Sequence, residues 1–246
     1  YEISVQEMNG PVVFDTRTGV EHTALRGRLF EQLVNFNFSS ELQDGELQTI
    51  LVDGVGLATP QALIEWPLQS SFVADLLQYT DGQIAYTSQL RINQDPSIDT
   101  GTILSINSTL AGAAMELPHP FTKAVEVELP LSLQIEFEED SQTIEGKMGP
   151  SLSFALDVDQ GLIRDGLVYV GQNQSNFENL LDNTSAGLAV IGNMDRFQFE
   201  VWSAFLEELN DDGDASEGFA STLDFLDLQV ESLEIYGEAF NDVNMR

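Results

Sequence analysis

Alternation of apolar and polar residues with a period of two is the feature that most constrains how this chain can fold. The clearest stretch is 129–137, where Ser132, Gln134 and Glu136 separate apolar residues. Because successive side chains of a strand point to opposite faces, this pattern predicts a β-strand with one apolar face. The apolar residues of that face are Leu131, Leu133, Ile135 and Phe137.

Three further segments repeat the alternation. Residues 84–92 alternate through Tyr86, and residues 103–110 place their apolar side chains at even-numbered positions. In the third segment, Ser153, Ala155 and Asp157 lie between the apolar residues. The apolar positions there are Leu152, Phe154, Leu156 and Val158. Each segment is therefore predicted to be a strand with one apolar face.

Short turn signals separate these segments at the spacing of β-hairpins. They are Asp81-Gly82, Thr100-Gly101, Gly149-Pro150, Gln160-Gly161 and Asp165-Gly166. Parallel strands need long, usually helical, crossovers, and residues 83–170 leave no room for repeated helices. The sequence thus predicts a mostly β fold with an antiparallel, twisted and curved sheet, which either closes into a sandwich or stays open as a trough or taco-like groove.

Helices are a minority, and three short amphipathic segments are predicted to cap the sheet. Thr59-Pro60 supplies an N-cap residue followed by proline at the first helical position, and Pro67 ends this helix. A second helix is predicted over 70–77. A third is predicted over about 199–209 and contains Trp202.

The C-terminal part adds two predicted strands and one loop. Apolar residues between Leu228 and Met245 indicate two strands, with an offset near Ser232-Leu233 that fits a β-bulge. The acidic run at 210–218 cannot bury a core and is predicted to be an exposed loop. A weak subdivision of the chain is considered near Asn93-Gln94-Asp95-Pro96 (93–96), although nothing there has the length of a linker.

The charge of the chain excludes one class of partner. Its 9 Lys and Arg residues against 41 Asp and Glu residues give a formal net charge of -32. Such a charge repels phosphate backbones, so no nucleic-acid partner is expected. Two interpretations of the acidity stay open: a solvated surface suited to a salty environment, or a surface that binds cations. The absence of cysteine excludes disulfides, zinc–thiolate sites and cysteine catalysis.

The length of the chain and its first residues indicate how large a core it can bury and whether it is processed or excised. Its 246 residues can bury a core as one large β domain or two smaller ones. The chain begins at Tyr1 without an initiator Met or a positively charged leader, and no apolar run approaches the roughly 18 residues of a membrane helix. We therefore expect a processed chain or an excised fragment, with any membrane anchor outside it.

Catalytic and cofactor motifs are missing from the sequence. It has no G-x-S-x-G elbow, phosphate loop, dinucleotide fingerprint or H-E-x-x-H helix. Its two histidines, His22 and His119, are each expected to be exposed or locally hydrogen-bonded. In the acidic loop, Phe219 stands where an EF-hand needs its bidentate Glu. The sequence thus predicts no enzyme, no cofactor and no metal site.

The apolar strand faces leave two alternatives open. A strand of this kind usually buries its apolar face against a second sheet or a helix, which predicts a closed β-sandwich with a dry core, acting as a structural or protein-interaction module. The other alternative is a sheet curled into a trough whose apolar interior accepts a ligand. An open face needs a ligand or a lid, because each fully buried Leu, Ile or Phe contributes about 1.5–3 kcal/mol.

Several short motifs follow one another along the chain. They are Ser108-Thr109-Leu110-Ala111-Gly112, Leu117-Pro118-His119-Pro120-Phe121-Thr122-Lys123-Ala124, Leu129-Pro130-Leu131, Gly161-Leu162-Ile163-Arg164-Asp165-Gly166, Ala186-Gly187-Leu188-Ala189-Val190-Ile191-Gly192 and Trp202. In this order and spacing, 110–209 resembles the later part of the YhdP-like branch of the AsmA superfamily. A looser likeness covers most of the remaining chain, whereas 1–59 matches only in general character. Two features depart from the family pattern: a polar turn after Val170 and the strong acidity.

The resemblance implies a large Gram-negative envelope protein that is anchored in the inner membrane and reaches across the periplasm. Residues 1–246 would be one β-rich segment of that protein, with adjoining segments as partners. The family likeness implies phospholipid transport between the inner and outer membranes, with acyl chains held in an apolar β groove and no catalytic residue or cofactor. The predicted lipid-binding face consists of Leu131, Leu133, Ile135, Phe137, Leu152, Phe154, Leu156 and Val158.

Overall fold

The computed structural model describes residues 5–21, 23–65, 71–94, 101–138, 141–160, 162–172, 177, 187–210 and 223–246. The strands are β1 Gln6–Asn9, β2 Phe14–Asp15, β3 Gly19–Val20, β4 Thr23–Leu29, β5 Gln32–Gln43, β6 Glu46–Ala58, β7 Thr80–Gly82, β8 Ile84–Asn93, β9 Thr102–Ser108, β10 Ala113–Met115, β11 Leu131–Phe137, β12 Ser141–Met148, β13 Leu152–Asp159, β14 Leu162–Val170, β15 Leu188–Gln198, β16 Leu223–Ile235 and β17 Glu238–Met245. The helices are α1 Pro60–Ile64, α2 Ser71–Gln78 and α3 Phe199–Asn210.

Thirteen strands form one twisted sheet in the order β1-β4-β5-β6-β8-β9-β11-β12-β13-β14-β15-β16-β17. From β1 to β14 every neighbouring pair is antiparallel, which confirms the meander predicted for 83–170. The pairs β14–β15 and β15–β16 are parallel. Each of these parallel pairs follows a connection long enough for a crossover, whereas a hairpin permits only antiparallel pairing.

Cross-strand pairing aligns the apolar residues of neighbouring strands on one face. Leu133 of β11 lies opposite Ile106 of β9 and Gly146 of β12, and Gly146 lies opposite Phe154 of β13. We call this side of the sheet the apolar face. Besides the eight predicted residues, it carries Leu25, Val34, Phe36, Val52, Leu90, Leu104, Ile106, Ile144, Val168, Val190, Leu228 and Val230.

The opposite side, which we call the polar face, carries mostly hydrophilic side chains over β8 to β12, whereas β6 also places Leu51, Val55 and Leu57 on it. One rank of it runs across five neighbouring strands as Asp53, Gln89, Ser105, Gln134 and Glu145. Gln89 donates a hydrogen bond to the Asp53 carboxylate at 2.8 Å. Over β13 to β15 this side is instead apolar, where Ala155, Leu167, Tyr169 and Ala189 pack with Phe177. The clean alternation of the central strands therefore reflects one apolar and one polar side of the sheet.

Glycines in the described strands of the large sheet all lie on the apolar face. They are Gly27, Gly54, Gly56, Gly146, Gly166 and Gly192. Large neighbours occupy the room that the missing side chains leave, as Tyr86 does over Gly56 and Leu156 over Gly166. Glycine within a strand marks a bend or a close approach, and it is used to curve sheets. Its one-sided placement favours curvature toward the apolar face.

The sheet is neither a barrel nor half of a sandwich. Strands β1 and β17 stand at opposite ends of the strand order and do not pair with each other. Beside the large sheet, the described residues form only the two-stranded pairs β2–β3 and β7–β10. A second sheet of comparable size is therefore absent from the described part of the chain, and the open trough is the alternative that the fold matches.

The three predicted helices are confirmed. Thr59 caps α1, because its hydroxyl accepts a hydrogen bond from the Ala62 N–H at 3.3 Å, and Pro60 occupies the first turn. Helices α2 and α3 begin and end within one or two residues of the predicted bounds. Both lie at the ends of strands, where they cover the sheet rather than extend it.

Two of the predicted hairpin turns are wrong. Asp165-Gly166 lies inside β14, beside the irregularity at which β13 and β14 shift register. Asp81-Gly82 ends β7, which pairs with β10 rather than with β8. Gly149-Pro150 does join β12 to β13, as predicted. Glycine marks a bulge or a close approach as readily as a turn, which is why these signals were ambiguous.

The offset predicted near Ser232-Leu233 is confirmed as a change of parity. Val230 and Leu233 are separated by three positions, yet both pack in one apolar cluster. The change occurs at Asp195, Glu231 and Asp242, which occupy the same level of β15, β16 and β17. The register between these strands leaves out all three residues. Asp242 has a left-handed φ of 54° there. A shared irregularity thus shifts three strands without changing their mutual register.

Two predicted features lie partly or almost wholly outside the described residues. The candidate subdivision near Asn93-Pro96 follows β8, and the strands on either side of it, β8 and β9, pair over seven ranks. The acidic loop 210–218 lies outside the described residues except for Asn210, which ends α3.

The Gly146→Ala variant tests the packing on the apolar face. A Cβ at this position would collide with the Phe154 ring, which Leu133 confines from the other side. We expect the free energy of unfolding to fall by about 1–3 kcal/mol, measured by urea denaturation. In a Phe154→Leu background the same change should cost clearly less. An equal cost in both backgrounds would show that the Phe154 ring is not what limits position 146.

Candidate functional site

The eight predicted groove residues occupy one side of two strands separated by β12. Through β12, Leu131 is in rank with Leu152, Leu133 with Phe154, Ile135 with Leu156 and Phe137 with Val158. They form four consecutive ranks of the apolar face. The structure therefore brings all eight together as one surface, and their binding of lipid stays a prediction.

Exposure divides this surface into two parts. Ile135 and Phe137 are 9% exposed and Val158 is 5% exposed. The other five residues are half-buried, so part of each side chain remains in contact with solvent. These are Leu131, Leu133, Leu152, Phe154 and Leu156. An apolar surface that is partly packed and partly accessible can take up a further apolar group without unfolding.

Contacts along the central part of the apolar face run sideways between neighbouring strands. One cluster joins Leu90 of β8, Leu104 of β9, Ile135 of β11 and Ile144 of β12. Another joins Leu25, Val34 and Phe36 of β4 and β5 with Val52 of β6. Both clusters are formed within a single layer of side chains.

One end of the apolar face is covered by a group of elements that we call the cap. It consists of α1, α2, β7, β10, the connection 116–130 and α3. Leu63 of α1 and Leu110 pack with Leu131 and Met148, which lie at the strand ends. Phe121 of the connection and Trp202 of α3 pack with Leu152. The cap thus packs on the rank of Leu131 and Leu152, whereas no residue of the cap is in the clusters of the next ranks.

Lys123 holds the connection together from inside the cap. It is 5% exposed, and its Nζ donates hydrogen bonds to the carbonyl oxygens of Ala113 and Ala124. Burial lowers the pKa of this ammonium, and the nearby Glu126 carboxylate acts in the opposite direction. A buried charge with two carbonyl partners is a structural tie of high specificity.

His119 links the connection to β15. Its Nε2 lies 2.8 Å from the Asp195 carboxylate, and its carbonyl oxygen accepts a hydrogen bond from Trp202 Nε1 at 3.2 Å. The hydrogen bond from His119 is the main cause that lowers the pKa of Asp195. The His119 side chain is 45% exposed and that of Asp195 is 67% exposed. His119 is therefore both exposed and locally hydrogen-bonded, as predicted, whereas His22 lies outside the described residues.

Aromatic rings fill the space between the connection and α3. Trp202 stacks on Phe197 with a centroid distance of 5.7 Å and meets Phe121 edge-on at 6.0 Å. Phe205 contacts Trp202 at 6.0 Å and Tyr79 at 5.0 Å. These rings connect the end of α2 to α3. The β8 and β15 strands that flank the cap are six strand spacings apart, or about 29 Å along the sheet.

Polar groups interrupt the apolar face beside the cap, and one of them has no partner among the described residues. The Tyr86 hydroxyl lies over Gly56, is buried, and has no hydrogen-bond partner among the described residues. Burial raises the pKa of this phenol. Its neighbour in rank, Ser108, is satisfied, because its hydroxyl donates to the Ala85 carbonyl oxygen and accepts from the Leu110 N–H.

The described ranges contain neither a cluster of metal-ligating side chains nor a helix able to span a membrane. No group of three His, Asp or Glu side chains in them is arranged to hold a metal ion. No helix in the same ranges has the length and apolar character needed to cross a bilayer. The acidic cluster of 210–218 that was compared with a calcium loop lies outside these ranges.

Comparison with protein-family models decides the family. The model described as YhdP protein matches residues 1–246, the whole chain. The chain belongs to the YhdP family. The match includes residues 1–59, for which the motifs had indicated only a general likeness. No curated protein and no solved structure matches the chain.

The motifs at 108–131 and Trp202 meet at the cap, whereas those at 162–166 and 188–192 lie in β14 and β15. Leu117 and Pro118 are buried in the connection, Lys123 lies inside the cap, and Phe121 contacts Trp202. Sequence reasoning named these residues as family marks without giving them a structural role. A lysine among apolar neighbours, in a chain with 9 basic residues, was the one signal that pointed to a buried tie.

A Lys123→Met variant tests the tie within the cap. Methionine keeps the length and the apolar stem but leaves the Ala113 and Ala124 carbonyl oxygens without this donor. We expect the free energy of unfolding to fall by about 1–3 kcal/mol, measured by chemical denaturation. Lys147→Met is the matched control, because Lys147 is exposed on the polar face and should change stability little. Equal effects of the two substitutions would contradict the role of Lys123.

Proposed function

We propose that this YhdP-family chain binds phospholipid acyl chains on its apolar face and takes part in phospholipid transport between the inner and outer membranes. The observation that carries the proposal is a predominantly apolar face that extends across β4 to β16 of an open thirteen-stranded sheet, with half-buried residues at Leu133, Phe154 and Leu156. Family membership supports the same role. The proposed binding surface is the set of eight residues on β11 and β13.

Binding of this kind requires no chemistry. An acyl chain on the apolar face exchanges one apolar environment for another, so its transfer free energy changes little between bilayer and protein. A charged or zwitterionic headgroup stays in water, because burying it without partners is costly. The barrier to transport then lies in leaving the bilayer and reaching the apolar face. A surface formed by many Leu, Ile, Val and Phe side chains suits acyl chains of different length.

The proposal places the chain in the periplasm of a Gram-negative cell, as part of an inner-membrane-anchored protein whose adjoining segments continue the path for lipid. It assigns no reaction to the chain. A hydrolase would be considered if a histidine lay beside a buried carboxylate, and the partner of His119 is the exposed Asp195. The charge of -32 argues against nucleic acid as a partner.

The Leu133→Asp, Phe154→Asp double variant tests the binding surface. The two residues lie in one rank across Gly146, and each is half-buried, so a carboxylate at either position remains hydrated without a lipid. We expect a folded protein that has lost co-purifying phospholipid, because acyl chains would have to desolvate two carboxylates. Mass spectrometry of extracted lipid and thermal unfolding are the measurements.

The matched control is Ser132→Asp with Gln134→Asp, which adds two carboxylates to the same strand on the polar face. This control should retain the lipid of the unmodified chain. If the apolar face were instead a dry core, the Leu133→Asp, Phe154→Asp variant would unfold while the control stayed folded. Unchanged lipid in the folded double variant would refute the proposed surface.

A further inference from the structure

The cap is built in two halves that come from distant parts of the chain. The first half contains α1, α2, β7, β10 and the connection 116–130, and it stands next to β8 and β11. The second half is α3, which follows β15. The first half contacts α3 and the end of β15 that leads into it through His119 with Asp195, His119 with Trp202, Phe121 with Trp202, and Tyr79 with Phe205, and we call these contacts the seam.

Each half is attached firmly to its own part of the sheet. In the first half, backbone hydrogen bonds join Leu129 N to Thr109 O at 2.7 Å and Glu116 N to Tyr79 O at 2.8 Å. Lys123 ties the same half internally. In the second half, Trp202 stacks on Phe197 of β15, and the Glu200 carboxylate accepts a hydrogen bond from the Tyr236 N–H.

The seam differs from these attachments in kind. Both of its hydrogen bonds are solvent-exposed, and each involves the side chain of His119 or Trp202. Water competes for such groups, so separating them leaves no buried polar atom without a partner. Its aromatic contacts are edge-on pairs, which can be broken without displacing a strand.

We propose that the cap is a two-part lid that opens at the seam to admit and release acyl chains. The proposal rests on the function proposed above. Parting the seam would expose more of the rank of Leu131 and Leu152, on which the cap packs, and join it to the half-buried Leu133 and Leu156. Each half would move with its own side of the sheet. The motif around His119 and Phe121 thereby acquires a role in controlling access to the apolar face.

The chain contains no cysteine, so the seam can be locked selectively. In a His119→Cys, Asp195→Cys variant, a short bifunctional thiol reagent with a reducible linker would tie the halves together. The assay follows uptake of an acyl-labelled fluorescent phosphatidylethanolamine from phosphatidylcholine vesicles. With the cross-link present, we expect the uptake rate to fall by about ten-fold or more, because a lid that cannot open limits exchange. Reduction of the linker should restore the rate.

The matched control is Arg196→Cys with Glu234→Cys. This pair also replaces an exposed ion pair, with 2.8 Å between Arg196 and Glu234, but it joins β15 to β16 on one side of the seam. Its cross-link should leave uptake unchanged. Equal uptake by the locked and reduced seam variants, with lipid still bound, would refute the lid and leave the proposed function standing. Absence of uptake by the unmodified chain would refute the proposed function and the lid with it.

Discussion

The rest of the structure depends on cross-strand register. Because side chains alternate with a period of two, a slip of one residue between any two strands would turn an apolar row toward water. From β4 to β14 the ladders keep Phe36, Leu90, Leu133 and Phe154 on one side. Where the parity changes, at Asp195 and its neighbours in rank, β15, β16 and β17 change together. The apolar face is thus preserved over the whole sheet.

A face assembled in this way is stabilised mainly by contacts within one layer. Side chains such as Leu156 and Phe154 place their ends over a glycine of the next strand, so they bury apolar area sideways against the sheet. The sheet is therefore stabilised by apolar burial between neighbouring strands and does not need a second sheet packed against it. Acidic residues then have only the polar face and the edges available, which keeps the charge of the chain in solvent.

The parts of the fold that the sequence predicted are those whose signal lies within one short segment of the chain. The strands containing Leu90, Leu104, Leu133 and Phe154 alternate cleanly, and Thr59-Pro60 starts a helix by itself. Strand β12 was not predicted, because Gly146 interrupts its apolar row. The parallel pairing of β15 depends on contacts between segments that a local pattern does not connect. The seam could not be predicted from the sequence, since His119 and Asp195 are 76 positions apart.

The cap explains why several of the family motifs belong together physically. A trough needs its walls set by repeated strands, and any strand with the right parity serves that purpose. Closing one end over about 29 Å of sheet is more demanding, because it requires a connection with a buried tie at Lys123 and rings that fit against Trp202. Specific residues are therefore concentrated in the cap, whereas the apolar face tolerates exchange among apolar side chains. Recognition of the sequence rested on the cap motifs together with motifs in β14 and β15, whereas the proposed binding rests on the apolar face.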